Sequence, residues 1–166
     1  MAIALLASLG YEVYASTGRP AEEAYLRQLG ASTIIPRAEL SEPAVAPLGS
    51  ERWAGGVDSV GSHTLVNVLN QIRYGGVVAN CGLAQGLDLP GSVAPFILRS
   101  VTLAGIDSVN APQSKRNDAW GLLAAHLDAD RLEQMTTMVP LDQAAKVAEQ
   151  VLAGTVRGRT VVDVNA

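Results

Sequence analysis

The chain has 166 residues, of which 48% are hydrophobic, 17% charged and only 4% aromatic, and its formal net charge is −4. This length suits one domain whose core is built mainly from aliphatic side chains and alanine, as in helices packed on a parallel sheet. The acidic balance argues against nucleic acid as the main partner. No apolar run reaches the roughly 20 residues that a membrane-spanning helix needs, so we expect no membrane partner either.

The single cysteine, Cys81, excludes an intramolecular disulfide. No group of cysteines and histidines has the spacing of a zinc site, and we therefore expect no metal. Residues 1–9 are apolar, but they lack the basic leader and the cleavage site of a signal peptide. These features together lead us to expect a cytoplasmic protein.

Short β-rich segments alternate with helical stretches over the first two thirds of the chain. Their starts are about 20 to 25 residues apart, which is the spacing of repeated βα units and predicts an α/β fold with a parallel sheet. The segments are 11–16, 32–36, 55–60, 76–80 and 101–106.

Two helices between these strands have recognisable ends. Pro20 can begin the first helix, and Gly30 can end it in a left-handed cap. Ser62 is a plausible N-cap for the second helix. Its apolar face is predicted to consist of Leu65, Val68, Leu69 and Ile72. Residues 38–52 are predicted to form a loop with at most one turn of helix.

The pattern changes after residue 110. Asn117 can cap a helix that continues to about residue 128. A strand at 135–141, a helix that ends at Gly154 and a final strand at 159–164 follow. This C-terminal segment need not belong to the same sheet.

Ligands of open parallel sheets bind beyond the carboxyl ends of the strands, where the loops converge. Polar or glycine-containing segments follow all five predicted strands, and we expect them to lie along one edge. They are 16–19, Arg37, 60–62, 80–83 and Asp107–Ser108. An ordinary capped turn is an alternative interpretation of Asp107 and Ser108.

The segment after the first strand has the chemistry of a phosphate site. In a dinucleotide-binding fold, an acid at the end of the second strand holds the ribose 2′-hydroxyl of NAD, whereas an arginine accommodates the 2′-phosphate of NADP. Here the acid is absent. The hydroxyls of Ser16 and Thr17, the exposed backbone of Gly18, and the forked donors of Arg19 and Arg37 could all bind a phosphate. A strand-to-helix turn with a solvated arginine is the alternative.

Other chemistries have weaker support. Residues 55–61, GGVDSVG, match neither the dinucleotide fingerprint, nor a P-loop, nor the nucleophile turn of a serine hydrolase. Asp58 would need hydrogen-bond donors in a buried strand end, and either a structural role or a ligand contact is open. Cys81 has no histidine near it in sequence, and His63 and His126 lie on separate helices, so packing or surface roles are favoured for all three.

Five blocks together resemble a known family: YEVYASTGRPAEEAYLRQLGASTIIPR, WAGGVDSVG, YGGVVANCGLAQG, PFILRSVTLAGIDSV and GRTVVDV. They resemble the cofactor-binding half of medium-chain dehydrogenases/reductases, in the zinc-independent branch of acrylyl-CoA reductases and quinone oxidoreductases. The resemblance covers nearly the whole chain. It implies a Rossmann-like, doubly wound parallel sheet.

The resemblance also implies an activity and a set of binding residues. The expected reaction is NADPH-dependent reduction of an activated C=C bond in a small substrate, either an enoyl thioester such as acrylyl-CoA or a quinone-like acceptor. By the same resemblance, Thr17, Gly18 and Arg19 with Arg37 would hold the adenosine and its 2′-phosphate. The nicotinamide half would lie along Asn80, Gly82, Leu83, Ile97 and Ser108. No side chain is an obvious proton donor, so no catalytic residue is assigned.

The sequence departs from this family at its beginning. Family members have a catalytic domain, a first Rossmann strand and a glycine-rich turn before the helix that here starts at Met1. We therefore expect a Rossmann fold truncated at its N-terminus. In the strand order 3-2-1-4-5-6 the absent strand is central, so the strands at 11–16 and 55–60 are expected to lack their shared partner.

The resemblance further divides the chain and suggests a partner. Residues 1–134 would form a partial NADP-binding domain, and residues 135–166 a strand–helix–strand unit that returns to the catalytic domain. A homodimer through the strand at 101–106 is expected. The alternative is an inactive Rossmann-like fragment that serves only as a fold or oligomerisation module. A methyltransferase-like domain is disfavoured, because it would need an acid where Ser16 and Thr17 stand.

Overall fold

The computed structural model describes residues 1–166 and contains eight α-helices and seven β-strands. In chain order these elements are α1 (Ala2–Ser8), β1 (Val13–Thr17), α2 (Glu23–Gln28), β2 (Ala31–Pro36), α3 (Ala38–Ser41), β3 (Trp53–Asp58), α4 (Ser62–Leu69), β4 (Ile72–Asn80), α5 (Ala94–Arg99), β5 (Thr102–Gly105), α6 (Gln113–His126), α7 (Ala129–Gln134), β6 (Thr136–Pro140), α8 (Ala144–Leu152) and β7 (Arg159–Asp163). The alternation of strands and helices confirms the predicted α/β class.

All strand pairs are parallel, but they form three separate sheets. β1 pairs with β2, β3 with β4 and β4 with β5, and β6 pairs with β7. β1 and β3 share no hydrogen-bonded partner, as the family's strand order predicts. They contact each other through side chains, since the rings of Tyr14 and Trp53 meet edge to face with centroids 6.3 Å apart.

Two separate apolar clusters hold these sheets to their helices. Between α4, β4 and β5, the core consists of Leu65, Leu69, Ile72, Val78 and Val101. The i, i+4 spacing in α4 brings Leu65 and Leu69 to the side of the helix that faces the sheet. The second cluster joins α1, the end of α2 and the start of the C-terminal unit through Ala4, Leu29 and Met135. One core therefore lies within residues 65–101, and the other joins the N-terminal elements to the C-terminal unit.

Much of the surface that a compact domain would bury is open. The accessible surface is 10383 Å², whereas a compact monomer of 17.3 kDa is expected to expose about 7,800 Å². Val57 and Val77 lie on the face of the β3–β5 sheet opposite α4, and their side chains are 54% and 46% exposed. This sheet is therefore covered by helices on one face only.

The structure corrects both predictions about the helix α4. Its N-cap is Gly61, with φ +75°, and Ser62 is the first helical residue, with φ +47°. The Ser62 hydroxyl donates to Asp88 (3.1 Å) and so does not cap the helix. Ile72 is not in the helix, which ends at Leu69, but begins β4, where it is completely buried. Ile72 nevertheless packs beside the apolar face of α4, because the chain turns at residues 70–71 and returns under the same helix.

The helix predicted to start at Asn117 starts earlier and ends sooner. α6 begins at Gln113, after Pro112, and the side chain of Asn117 accepts from that of Gln113 one turn inside the helix. α6 ends at His126, because Asp128 caps a new helix, α7, by accepting from the N–H of Asp130 (2.8 Å). A second capping signal thus stops the helix before residue 128.

Other predicted boundaries are confirmed. A 3₁₀ turn at Pro20–Glu22 precedes α2, and Gly30 follows that helix with φ +109°. Within residues 38–52 the only helix is the single turn of α3. The C-terminal strands β6 and β7 pair with each other in a sheet of their own.

Gly30→Ala is expected to destabilise the protein by about 1–3 kcal/mol, because an alanine would be strained at this φ. Its Cβ would also lie 2.4 Å from the Cβ of Ala7 in α1. Gly121→Ala is the control, since nothing lies within 4 Å of the added Cβ in the middle of α6. It should raise stability by about 0.5–1 kcal/mol. Urea unfolding of both variants checks the prediction, which equal stabilities would contradict.

Candidate functional site

Two neighbouring regions form at the carboxyl ends of the strands. The first, which we call the phosphate edge, consists of Ser16, Thr17, Gly18, Arg19 and Arg37, beyond β1 and β2. The second is a cavity beyond β3, β4 and β5. The two regions lie on different sheets.

The phosphate edge is a tight turn with a guanidinium over it. Thr17 accepts from the backbone N–H of Arg19 through its hydroxyl (3.0 Å) and from that of Arg37 through its carbonyl (2.8 Å). A Cβ on Gly18 would lie only 2.9 Å from Cζ of Arg37. The absence of a side chain at Gly18 therefore lets Arg37 lie across the turn, and the structure brings these predicted residues together.

The two arginines of the phosphate edge differ in their partners. Arg19 donates through Nη1 to the carbonyls of Gly154 (3.1 Å) and Val156 (3.3 Å), after the helix α8. This contact was not predicted, because no local pattern connects residues so far apart in sequence. Arg37 is exposed and its guanidinium makes no hydrogen bond or ion pair within the chain. Arg37 therefore has all of its donors free for a ligand.

The cavity has a volume of about 580 Å³ and is built from strand ends and the loop after β4. The side chains and backbone that line it are those of Gly61, Asn80, Cys81, Gly82, Leu83, Gly86, Leu87, Asp88, Gly105, Ile106 and Asp107. Three of the predicted nicotinamide residues, Asn80, Gly82 and Leu83, are among them. The sequence-based prediction did not include residues 86–88, for which Gly86 was the available signal of a loop.

Two other predicted residues do not line the cavity. Ile97 lies on α5 with its side chain 72% exposed. Ser108 follows Asp107 and is exposed, and its carbonyl accepts from the guanidinium of Arg116. The structure therefore places Ser108 next to the cavity wall and Ile97 outside it.

Glycines allow the loops beyond β3 and β4 to touch. A Cβ on Gly82 would lie 2.4 Å from the carbonyl oxygen of Ser59. A Cβ on Gly61 would lie 2.6 Å from the carbonyl oxygen of Gly86, and these two glycines form an isolated parallel bridge. The floor of the cavity is therefore mainly backbone, which leaves room for a flat group to approach closely.

The side chain of Asp58 connects the same two loops by hydrogen bonds. It is the last residue of β3 and its side chain is buried. Its Oδ2 accepts from the backbone N–H groups of Val60 (3.1 Å) and Gly61 (2.8 Å) and from the side-chain amide of Asn80 (2.7 Å). Of the two roles left open by the sequence, the structure favours the structural one.

The charges of the two regions have opposite signs. The cavity contains the carboxylates of Asp88 and Asp107 and no basic side chain, whereas the phosphate edge contains two arginines and no acid. The pKa of Asp107 is lowered by the backbone N–H of Asn110, then by the side-chain amide of Asn110, and then by the N–H of Val109. A phosphorylated ligand would therefore be attracted to one end of the site only.

The side chains with other possible chemistry do not form a catalytic pair or a metal site. The Cys81 thiol donates only to the carbonyl of Asp58 (3.3 Å), and Nδ1 of His63 is buried without a partner. No three His, Cys, Asp or Glu side chains lie close enough together to hold a metal ion. No helix has both the length and the apolar character needed to cross a bilayer.

Comparison with known proteins identifies the family. Residues 1–125 match the family described as zinc-binding dehydrogenase. The chain belongs to that family. It corresponds to the C-terminal half of a medium-chain dehydrogenase/reductase, and the resemblance noted from the sequence is confirmed.

Several members of this dehydrogenase family are similar over the whole chain. Acrylyl-CoA reductase AcuI of Ruegeria pomeroyi is 49% identical over 166 residues, which are 100% of this chain and 50% of that protein. A crystal structure of Escherichia coli K-12 YhdH with bound NADPH has a TM-score of 0.94 at 46% identity, over 99% of this chain and 50% of that one. The chain spans about half the length of the curated relatives it matches.

A third similar structure has a different nucleotide. The crystal structure of Bacillus subtilis yhfP with NAD bound has a TM-score of 0.93 at 38% identity, over 98% of this chain and 50% of that one. Proteins of this dehydrogenase fold are thus found with either nucleotide.

The carboxyl of Asp107 is expected to titrate below its ordinary value of 3.8. Because the pKa is lower in the folded state, the stability it contributes is present above 3.8 and is lost as the pH falls through the folded value. Asn110→Ala removes the side-chain donor, keeps both backbone donors and should raise the pKa part of the way. Carboxyl ¹³C chemical shifts followed against pH check this, and an unchanged titration in Asn110→Ala would contradict it.

Proposed function

We propose that this chain is the cofactor-binding part of an NADPH-dependent oxidoreductase that reduces an activated C=C bond. The observation that carries the proposal is the phosphate edge, where two arginines and no acid follow the ends of β1 and β2. The similarity of the whole chain to a named acrylyl-CoA reductase and to a structure with bound NADPH supports the same conclusion.

The preference for NADPH rests on charge. A 2′-phosphate carries about two negative charges near neutral pH and needs charge-assisted donors, whereas a free ribose hydroxyl is usually held by an acid. Arg37 has unpartnered donors over Gly18, in a gap that a Cβ would fill. These residues fit the phosphorylated ribose. Because a relative with NAD bound has the same fold, the proposal depends on the arginines and not on the fold.

The cavity would hold the nicotinamide half. NADPH, when bound, supplies the hydride for the reaction. The backbone of Gly82 and the apolar side chain of Leu83 would shape the site, and Asp88 and Asp107 would keep phosphates away from it. The distance between the acidic cavity and the basic edge would fix the direction in which the dinucleotide lies. Orientation of this kind, not a proton donor, is what this chain contributes.

The acceptor belongs to the same proposal. An enoyl thioester such as acrylyl-CoA, or a quinone-like compound, is the substrate class that the relatives' names suggest for the whole protein. Residues 135–166, which form the separate β6–β7 sheet, would connect the cofactor domain of residues 1–134 to the substrate-binding part. We also propose that the protein is located in the cytoplasm.

Arg37→Ala is expected to weaken NADPH binding by about ten- to a hundredfold and to leave NADH binding unchanged, because one charge-assisted interaction is worth about 1.5–3 kcal/mol. Arg37 is a cleaner test than Arg19, whose removal would also release residues 154 and 156. Arg73→Ala, at an exposed position of β4, is the matched control. Titration calorimetry with both nucleotides measures the effect.

Two outcomes of that titration would contradict the proposal. One is equal affinity of the unchanged protein for NADPH and NADH, and the other is an equal loss for both nucleotides in Arg37→Ala. The inactive-module alternative predicts that neither nucleotide binds.

We also propose a homodimer formed through β5. This strand pairs with β4 on one side and has no partner on the other, and edge strands readily pair with another chain. Sedimentation of the intact protein is expected to give twice the mass of one chain. A monomer at every concentration would contradict this expectation.

A further inference from the structure

We propose that Asp58 is a positioning residue for the nicotinamide half of the site. It would fix the walls of the cavity without touching the ligand. This inference rests on the proposed function and adds a residue that holds the site in shape.

The first argument is the concentration of donors on one atom. The side chain of Asp58 is only 4% exposed, and three donors converge on its Oδ2. Burial of a carboxylate is costly unless it is hydrogen-bonded, so these three contacts act as a unit. Two of the donors lie beyond β3 and the third is the side chain at the end of β4. One oxygen therefore connects two strand ends.

The second argument is the orientation of Asn80. Its Nδ2 donates to Asp58 (2.7 Å) and to the carbonyl of Gly82 (3.0 Å), so both amide hydrogens are used. The Oδ1 atom has no donor within the chain, although Asn80 lines the cavity. The carboxylate of Asp58 thereby decides which end of the Asn80 amide is left for a ligand.

The third argument is the unusual backbone beside Asp58. Gly61 and Ser62 both have positive φ, +75° and +47°, and Ser62 is not a glycine. Such a conformation costs free energy and persists only where its surroundings hold it. The hydrogen bonds from Val60 and Gly61 to Asp58 hold this turn, and Gly61 in turn touches Gly86 on the opposite wall.

The effect of Asp58 should be local. The pairing of β3 with β4 does not need its side chain, because backbone hydrogen bonds run along both strands and the backbone N–H of Cys81 donates to the Asp58 carbonyl (2.8 Å). The phosphate edge lies on another sheet. Loss of the carboxylate should therefore disturb the nicotinamide half and spare the adenosine half.

The test compares two probes in the intact protein. NADPH spans both halves, whereas adenosine 2′,5′-bisphosphate carries only the adenosine and the 2′-phosphate. Asp58→Ala is expected to weaken the binding of NADPH about tenfold or more, because the hydrogen bonds that align the cavity walls are lost. Its affinity for the bisphosphate should stay within about twofold of the unchanged protein.

Variants that restore the hydrogen bonds separate positioning from general stability. Asp58→Asn keeps one oxygen that can accept from all three donors and should bind NADPH nearly as well as the unchanged protein. Asn80→Asp places two carboxylates together and should weaken it. The Asp58→Asn variant remains informative if Asp58→Ala does not fold, since its amide oxygen keeps the acceptor that the three donors need.

Each outcome supports or overturns a particular claim. Equal loss of both probes in Asp58→Ala, no loss of either, or a tenfold or greater loss of NADPH affinity in Asp58→Asn would overturn the role of Asp58 alone. Failure of the unchanged protein to bind either probe would overturn the proposed function itself.

Discussion

The parallel pairing of β3, β4 and β5 over residues 55–58, 77–80 and 102–105 is the constraint on which the rest of the structure depends. Asp58, Asn80 and Gly105 are consecutive partners in one row across the three strands. Because these strands end in the same row, the loops that follow them must meet, and the cavity forms where they meet. The small core under α4 holds the row in place, with Ile72 and Val78 completely buried.

The β1–β2 sheet carries residues of the opposite charge beyond the carboxyl ends of its strands. β1 and β2 end at arginines, whereas the loops beyond β4 and β5 contribute carboxylates. The two sheets are not hydrogen-bonded to each other, and Trp53 bridges them by contacting Tyr14, while the Arg52 guanidinium lies 4.6 Å from its ring centroid. A dinucleotide that spans both regions would add a link between two sheets that share no strand hydrogen bonds.

Local patterns predicted the strands, because short β-rich runs between glycines and prolines depend little on distant residues. They also placed Thr17, Gly18 and Arg37 together, since parallel strands end at one edge. Two errors arose where tertiary contacts prevail over local rules, since Ser62 donates to Asp88 and Ile72 continues an apolar face across a turn. The third error was a local signal left out of the prediction, because Asp128 caps α7 and so ends α6 early. The partners of Arg19 and the wall at 86–88 depend on loops that no local pattern connects to the strands.

The sheet topology also sets the order in which the protein opens. β4 is the only strand with a hydrogen-bonded neighbour on both sides, and every other strand has one free edge. Backbone amides are protected from exchange with solvent in proportion to the structure that must break to expose them. Residues 77–80 of β4, which have a paired strand on each side, are therefore expected to exchange most slowly. β1 and β2, the strands that precede the arginines, form a two-stranded sheet of their own and can open without breaking these pairs.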